Sequence, residues 1–251
     1  ACVEVLADKS ICTARRNSVS TPTSLTKVLI TSDNIGSYYI AKKLGAKTLY
    51  DYLVKFGIGN YTNLGLANEQ TDTLQKPEKW NELDLAVISF GHSEASTLLQ
   101  TVSGYSAIAN YGVRMHPSIV SKVKDAKSEL DFPPKIEETV IDPKSSDMMV
   151  DALAETFSAQ GGQYYWRDLA NYRLAGKTGT AQIPKKDGPG YEEGKTNVTM
   201  IAFDASDNRS FIMGLRLEEP EGGGFSSESA LPVWVDLFEH LKDSLGVVPV
   251  K

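Results

Sequence analysis

The nine residues from Leu174 to Gln182, of sequence LAGKTGTAQ, decide how this chain is interpreted. Threonines at 178 and 180 place two hydroxyls on one face of an extended strand, and Lys177 adds a cation with three donors. Gly179 lacks a side chain, so another backbone or a ligand can approach closely there. The stretch therefore predicts a strand that holds a carboxylate and pairs with a peptide backbone, through Lys177, Thr178, Gly179 and Thr180.

A K-T-G tripeptide alone is weak evidence, but a second motif lies upstream. Ser32-Asp33-Asn34 stands at the junction of two segments with helical apolar spacing. S-D-N and K-T-G together are typical of active-site-serine penicillin-binding proteins and β-lactamases. Ser32 is a candidate proton relay, and the Asn34 amide can donate to a substrate carbonyl and accept from a lysine. A helix cap is the alternative interpretation, and both can hold together.

Further stretches resemble the transpeptidase domain of class B penicillin-binding proteins. Among the members of this family, the sequence SFGH at residues 89–92 is most similar to division-type, FtsI-like proteins. The resemblance extends from about residue 22 to about residue 245. The stretches that carry it are residues 83–92, 97–100, 106–112, 200–205, 210–215 and 231–241. It implies an α/β fold like that of serine β-lactamases, a five-stranded antiparallel sheet with helices on both faces, and a single domain over residues 1–251.

The same resemblance implies a peptidoglycan D,D-transpeptidase. In that family a serine attacks a D-alanyl-D-alanine stem peptide, an acceptor amine resolves the acyl-enzyme, and penicillins trap the serine. Carried over, Ser32, Asn34 and Lys177 are catalytic. Thr178, Gly179 and Thr180 bind substrate, with the Thr180 N–H donating to the oxyanion. Cell-division proteins are further expected partners.

The family's nucleophile lies in an S-x-x-K motif well upstream of S-D-N. The chain has two such matches, Ser24-Leu25-Thr26-Lys27 and Ser121-Lys122-Val123-Lys124, and neither has the expected context. We interpret both as coincidences, and expect the nucleophile segment and an N-terminal membrane anchor to precede this chain. That anchor would hold the protein at the extracytoplasmic face of the bacterial cytoplasmic membrane.

Composition is that of a soluble globular domain, with 41% apolar and 23% charged residues. The net charge of −6 argues against nucleic acid as a partner. No cofactor is expected, and no metal, because the three histidines share no ligand spacing. Cys2 and Cys12 also lack the spacing of metal ligands. We favour two free thiols at these positions, with a disulfide as the alternative in an exported protein.

Two other functions stay open at this point. A serine β-lactamase or D,D-carboxypeptidase would share both motifs, but the E-x-x-L-N segment of class A β-lactamases does not occur between Asn34 and Lys177. A degenerate, non-catalytic homologue could serve as a divisome scaffold or a β-lactam sensor. The intact motifs argue against degeneration.

Periodicity and turn residues predict the elements coarsely. An irregular stretch opens the chain, residues 58–82 form a surface connection and residues 124–144 an extended excursion. A first helix is predicted to start at residue 21, and five further helices are predicted at 34–44, 47–56, 97–111, 146–158 and 231–241. One strand is predicted around residues 177–180, and two more at 197–205 and 209–218.

Three residues depart from the family pattern. Glu94 places a charge, and Leu98 a leucine, where they are unusual, so local packing there is expected to differ. Ala205 stands where proline is common, and we expect this to alter only a turn.

Overall fold

The computed structural model describes residues 1–13, 23–71, 74–92, 95–161, 169–188, 190–221 and 224–250. Short 3-10 helices lie at Pro77–Lys79 and Leu169–Asn171. The other elements, in chain order, are β1 (Cys2–Leu6), β2 (Lys9–Cys12), α1 (Leu25–Thr31), α2 (Asn34–Leu44), α3 (Ala46–Lys55), α4 (Glu82–Ser89), α5 (Leu98–Ala109), β3 (Val113–Met115), β4 (Lys122–Lys124), β5 (Glu129–Asp131), β6 (Ile136–Thr139), α6 (Pro143–Gly161), β7 (Leu174–Pro184), β8 (Tyr191–Asp204), β9 (Ile212–Glu218) and α7 (Ala230–Leu241).

The main sheet is antiparallel, with the strand order β7-β8-β9. Lys177 lies opposite Ile201, and Thr180 lies opposite Val198. Within the described residues β7 hydrogen-bonds a strand on one side only, so its other edge is open. These three strands are the part of the expected five-stranded sheet that the described residues supply, and the strand carrying K-T-G lies at its edge.

Helices cover both faces of this sheet, as the resemblance implies. On one face α7 buries Trp234 and Phe238 against Met200 and Ala202 of β8, and the indole N–H of Trp234 donates to the carbonyl of Met213 at 2.9 Å. On the other face α5 and α6 pack through Tyr105, Val150 and Leu153 onto Ala175 and Phe203. Alternate residues of the strands face opposite helical layers, so apolar burial on both faces holds β7 in place.

The N-terminal stretch is not irregular, as the sequence suggested, but a β1–β2 hairpin. Cys2 and Cys12 are opposed in its register, their Cα atoms are 4.1 Å apart and the two residues form a disulfide. The Thr13 N–H donates to the Ala1 carbonyl at 3.0 Å, so the neighbouring Cys2–Cys12 pair occupies a close, non-hydrogen-bonded position. The preference for free thiols was therefore wrong: spacing along the chain did not reveal that the two residues face each other across a hairpin.

The helix that follows S-D-N is anchored by a buried tyrosine. Tyr38 of α2 is 2% exposed, and its hydroxyl donates to Glu82 Oε1 at 2.5 Å and accepts from Lys42 Nζ at 3.0 Å. Burial, followed by the hydrogen bond to Glu82, raises the pKa of Tyr38. These contacts fix α2, which follows S-D-N, against α4, a helix that was not delimited from the sequence.

The predicted extended excursion at residues 124–144 contains short paired strands. β4 pairs with β5, and β6 returns to pair with β3. α6 then starts at Pro143 and continues to Gly161, three residues beyond both predicted ends. The longer C-terminal end is important, because it brings Gln160 to the K-T-G strand.

Two of the departures have a local structural account, while Glu94 lies outside the described residues. Thr97 and Gln100 form a capping box at the start of α5, so Leu98 occupies the first turn of a well-capped helix. The Ala205 N–H donates to the Arg173 carbonyl at 2.8 Å. A proline at 205 would lack this donor, so alanine preserves one more rung between β7 and β8.

The turn predicted at Ser206-Asp207-Asn208 is organised by a buried carboxylate. Asp204 is 1% exposed and accepts from the Ser206 N–H at 2.9 Å and from the Ser210 N–H and hydroxyl at 3.0 Å. Burial on its own raises the pKa of Asp204, but the hydrogen bonds from Ser206 and Ser210 outweigh burial, and the pKa lies below its ordinary value. Ionised Asp204 therefore stabilises the β8–β9 connection.

Acid is expected to remove this stabilisation. A carboxyl whose pKa is lower in the folded state contributes stability above its unfolded pKa of about 3.9, and loses it as pH falls through the folded value. Asp204→Asn should lower the free energy of unfolding by about 1–3 kcal/mol at pH 7, with a smaller difference near pH 3. Urea unfolding of both proteins at the two pH values measures this, with exposed Asp207→Asn as control. A pH-independent difference would contradict the electrostatic account.

Candidate active site

The two sequence motifs meet at the open edge of the sheet. Lys177 extends from β7, and its Nζ donates to Ser32 Oγ at 2.6 Å across 145 residues of sequence. The same Nζ donates to the Thr178 carbonyl at 2.7 Å. Because the ammonium supplies the proton in this hydrogen bond, the Ser32 hydroxyl keeps its own proton for a third group. The geometry thus suits Ser32 as a relay next to a cation.

Ser32 is presented by a tight junction between α1 and α2. Its φ of 50° and ψ of 51° are left-handed, a conformation that costs a non-glycine residue about 1–2 kcal/mol. The Ser32 and Asp33 N–H groups close α1 by donating to Leu29 and Val28 carbonyls at 3.2 and 3.0 Å. Asp33 caps α2 by accepting from the Ile35 N–H at 3.2 Å. The helix-cap interpretation is therefore confirmed for Asp33, the residue that follows Ser32 at this junction.

Asn34 is the first residue of α2. Its Nδ2 donates to the Cys12 carbonyl at 3.0 Å, so the amide ties the motif to the disulfide-bonded β1–β2 hairpin. The sequence analysis expected this amide to serve a substrate carbonyl and a lysine, and that role stays a prediction.

The hydroxyls of the K-T-G strand both have partners in the protein. Thr178 Oγ1 donates to Gln160 Oε1 at 2.9 Å, and Thr180 Oγ1 accepts from the Ser226 N–H at 3.0 Å. Ser226 in turn donates its hydroxyl to the Thr199 carbonyl at 2.5 Å. Sequence reasoning missed both Gln160 and Ser226, because neither lies in a motif and each is brought to β7 by another element.

Gly179 is required by the sheet itself. A Cβ placed on Gly179 would lie 2.5 Å from Thr199 Oγ1 of the neighbouring strand. The close neighbour is therefore the Thr199 side chain, and the predicted approach of another backbone or a ligand to this glycine stays a prediction. A side chain at position 179 would displace it and disturb the strand that carries Lys177.

Backbone groups at the open edge point away from β8. The Thr178 N–H faces Gln160 Oε1 at 3.4 Å and its carbonyl accepts from Lys177, so neither group serves the ladder to β8. Hydrogen-bonding direction alternates along an antiparallel strand, so the Thr180 N–H points to the same open edge. A donor in that position suits an oxyanion, or an added peptide strand.

The two S-x-x-K matches have structural roles. Ser24 is the N-cap of α1, and its Oγ accepts from the Lys27 N–H at 3.1 Å, a backbone contact that involves no Lys27 amine. Ser121 is exposed, and its carbonyl accepts from the Phe132 N–H at 2.8 Å next to the β4–β5 hairpin. Neither serine takes part in the hydrogen bonds around Lys177, which agrees with interpreting both matches as coincidences.

The described part of the chain has no cluster of metal-ligating side chains. It contains no group of three or more His, Cys, Asp or Glu placed to hold a metal ion. His92 packs edge-on against Phe90 and Tyr191, with ring centroids 5.4 and 5.9 Å away, and burial lowers its pKa.

None of the helices within the described ranges is long and apolar enough to cross a membrane.

Comparisons with known proteins identify the family of the chain. Residues 8–239 match the model of the penicillin-binding protein transpeptidase domain. The chain is 28% identical over 221 residues to penicillin-binding protein PbpB of Mycobacterium tuberculosis, covering 85% of this chain and 32% of that protein. It is 30% identical over 206 residues to peptidoglycan D,D-transpeptidase FtsI of Escherichia coli, covering 80% of this chain and 32% of that protein.

A solved structure gives the same result for the fold. Penicillin-binding protein 3 of Mycobacterium tuberculosis complexed with ampicillin superposes with a TM-score of 0.86 at 26% identity, over 100% of this chain and 56% of that one. The chain spans about a third of the length of the two curated relatives. With the family match over most of its residues and both motifs at one sheet edge, this chain belongs to the penicillin-binding protein transpeptidase family.

Proposed function

We propose that this chain forms the proton-relay and substrate-clamping walls of a peptidoglycan D,D-transpeptidase that acts at the extracytoplasmic face of the membrane. The observation that carries the proposal is the 2.6 Å hydrogen bond from Lys177 Nζ to Ser32 Oγ. It joins two motifs from distant parts of the chain into one arrangement of a cation, a hydroxyl and an open strand edge. Division proteins are proposed partners, because the resemblance is greatest to division-type members of the family.

We infer that the nucleophilic serine and its lysine are supplied by a segment preceding residue 1, because Ser24 and Ser121 have other roles. In the experiments below, the natural protein is the longer protein that contains this preceding segment together with the 251 residues of this chain. Its serine would attack the penultimate D-alanine carbonyl of a stem peptide, forming an ester and expelling D-alanine. Ser32 would pass a proton to the departing amine, and the Thr180 N–H would donate to the oxyanion at a gain of about 3–4 kcal/mol.

An acceptor amine would then attack the ester, release the serine and leave a new peptide bond. Lys177, with the hydroxyls of Thr178 and Thr180, would hold the terminal carboxylate of the donor peptide, and an extended stem peptide would lie along the open edge of β7. A β-lactam carries the same carboxylate next to its reactive carbonyl. Stem peptides and β-lactams are therefore the proposed ligands.

The proposal is tested by giving the natural protein a donor ending in D-alanyl-D-alanine, an amine acceptor and, separately, a fluorescent penicillin. Mass spectrometry should detect the crosslinked product and one D-alanine per crosslink, with a penicilloyl adduct on the upstream serine. D-alanine release without crosslinking would show a carboxypeptidase, and rapid turnover of the adduct a β-lactamase. Absence of any adduct would support a non-catalytic homologue.

Asn34→Ala is expected to impair crosslinking about as severely as loss of Lys177, because the substrate carbonyl and the catalytic lysine would each lose a partner. The assay is the donor and acceptor reaction above. Since Asn34 also holds the Cys12 carbonyl, a Cys2→Ala, Cys12→Ala double variant serves as control for a loosened hairpin. Full crosslinking by Asn34→Ala would reduce the residue to a structural role at the start of α2.

A further inference from the structure

Gln160 connects the two motif-bearing elements through one side-chain amide. It lies in the last turn of α6, and its Nε2 donates to the Ile30 carbonyl of α1 at 3.2 Å. Its Oε1 accepts from the hydroxyl of Thr178 at 2.9 Å and faces the N–H of that residue at 3.4 Å. One amide thus bridges the helix before Ser32 and the strand after Lys177.

These contacts close a ring of hydrogen bonds. From Gln160 the ring passes through Thr178, whose carbonyl accepts from Lys177 Nζ, and Lys177 donates to Ser32 Oγ. Ser32 lies two residues after Ile30, which returns the ring to Gln160. This ring fixes the positions of α1, α6 and β7 relative to one another, although the three elements are distant in sequence.

The Ile30 carbonyl needs this outside partner. The last carbonyls of a helix have no intrahelical donor, and those of Val28 and Leu29 are served by Asp33 and Ser32 N–H groups. Gln160 serves the next one. The Gln160 amide carries both the donor for Ile30 and the acceptor for Thr178. A carboxylate lacks the donor, and a thioether lacks a strong donor or acceptor.

We propose that Gln160 is a positioning residue that sets the Lys177–Ser32 contact and holds Thr178 Oγ1 at a place from which its hydroxyl can turn to the ligand's carboxylate. The inference rests on the proposed function and adds a residue to the same site. When the ligand binds, the Thr178 hydroxyl keeps its proton and rotates, so that it donates its hydrogen bond to the carboxylate and no longer to Gln160 Oε1. Neutrality at position 160 is therefore as important as the hydrogen bonds, because a negative charge there would repel the arriving carboxylate.

The test uses acylation of the natural protein by benzylpenicillin and by its methyl ester, which lacks the negative charge. Relative to wild type, Gln160→Glu should slow acylation by the acid about tenfold more than acylation by the ester, and added salt should reduce that gap. Gln160→Met, similar in length and uncharged, should slow both probes by a similar factor of about fivefold, since it removes the ring without adding charge. Gln75→Glu, which makes the same change at an exposed position outside α6 and β7, is the matched control.

Unequal loss for the two probes is a result that a merely structural role would not produce. The inference is overturned if Gln160→Glu affects acid and ester alike, or if Gln160→Met acylates at the wild-type rate. If Gln160→Glu does not fold, as judged by circular dichroism, the Met variant alone decides. Wild-type protein that reacts with neither probe would instead contradict the proposed function.

Discussion

Lys177→Ala should slow acylation of the natural protein by labelled penicillin by about tenfold or more while leaving the melting temperature almost unchanged. The variant loses the cation that contacts Ser32 Oγ at 2.6 Å and that is proposed to meet the ligand's carboxylate. Both losses act on the reaction with ligand. The apolar core around Met200 and Trp234 is formed by other residues and is unaffected.

The measurement is the second-order rate of fluorescent labelling, accompanied by thermal unfolding. Lys195→Ala is a matched control, because Lys195 lies on the adjacent strand and pairs with Glu219 at 2.8 Å on the surface. Acylation of Lys177→Ala at the wild-type rate would refute the assignment of K-T-G. A large fall in melting temperature would show instead that the ring through Thr178 and Gln160 carries much of the local stability.

Features whose chemistry is local could be predicted from the sequence. The strand around Lys177 and Gly179 follows from alternation and from a glycine between two threonines. The turn at Ser206-Asp207-Asn208 follows from composition, and the last helix from its apolar spacing. The resemblance supplied the antiparallel sheet with helices on both faces, and the match over residues 8–239 confirms the family that it named.

Features that depend on distant parts of the chain meeting could not be predicted. Gln160 lies beyond the predicted end of its helix, and nothing within α6 indicates that its amide reaches Ile30 and Thr178. The Cys2–Cys12 disulfide depends on hairpin register, since a slip of one residue would turn the two side chains to opposite faces. The Asn34 contact with Cys12 depends on where that hairpin packs. Each of these is set by tertiary packing, which local propensity does not encode.

The nucleophile is proposed to lie in a preceding segment, whereas Lys177 and the open strand edge lie in this chain. This division leads to an all-or-none prediction. The 251-residue chain alone should form no covalent adduct with a fluorescent penicillin, whereas the natural protein should. Acylation needs an activated serine about 3 Å from the β-lactam carbonyl while donors receive the developing charge. This chain offers the proposed donor at Thr180, the cation of Lys177 and the proposed relay Ser32, but its two S-x-x-K serines are a helix cap and an exposed residue beside a hairpin.

Intact mass spectrometry of both proteins, incubated side by side, measures the difference, and circular dichroism confirms that the isolated chain is folded. A penicilloyl group on Ser24 would show that the N-cap of α1 can leave its contact with the Lys27 N–H and act as the nucleophile. A group on Ser32 would show that the proposed relay can itself be acylated. Either adduct would place the nucleophile within these residues and contradict the inference that a preceding segment supplies it.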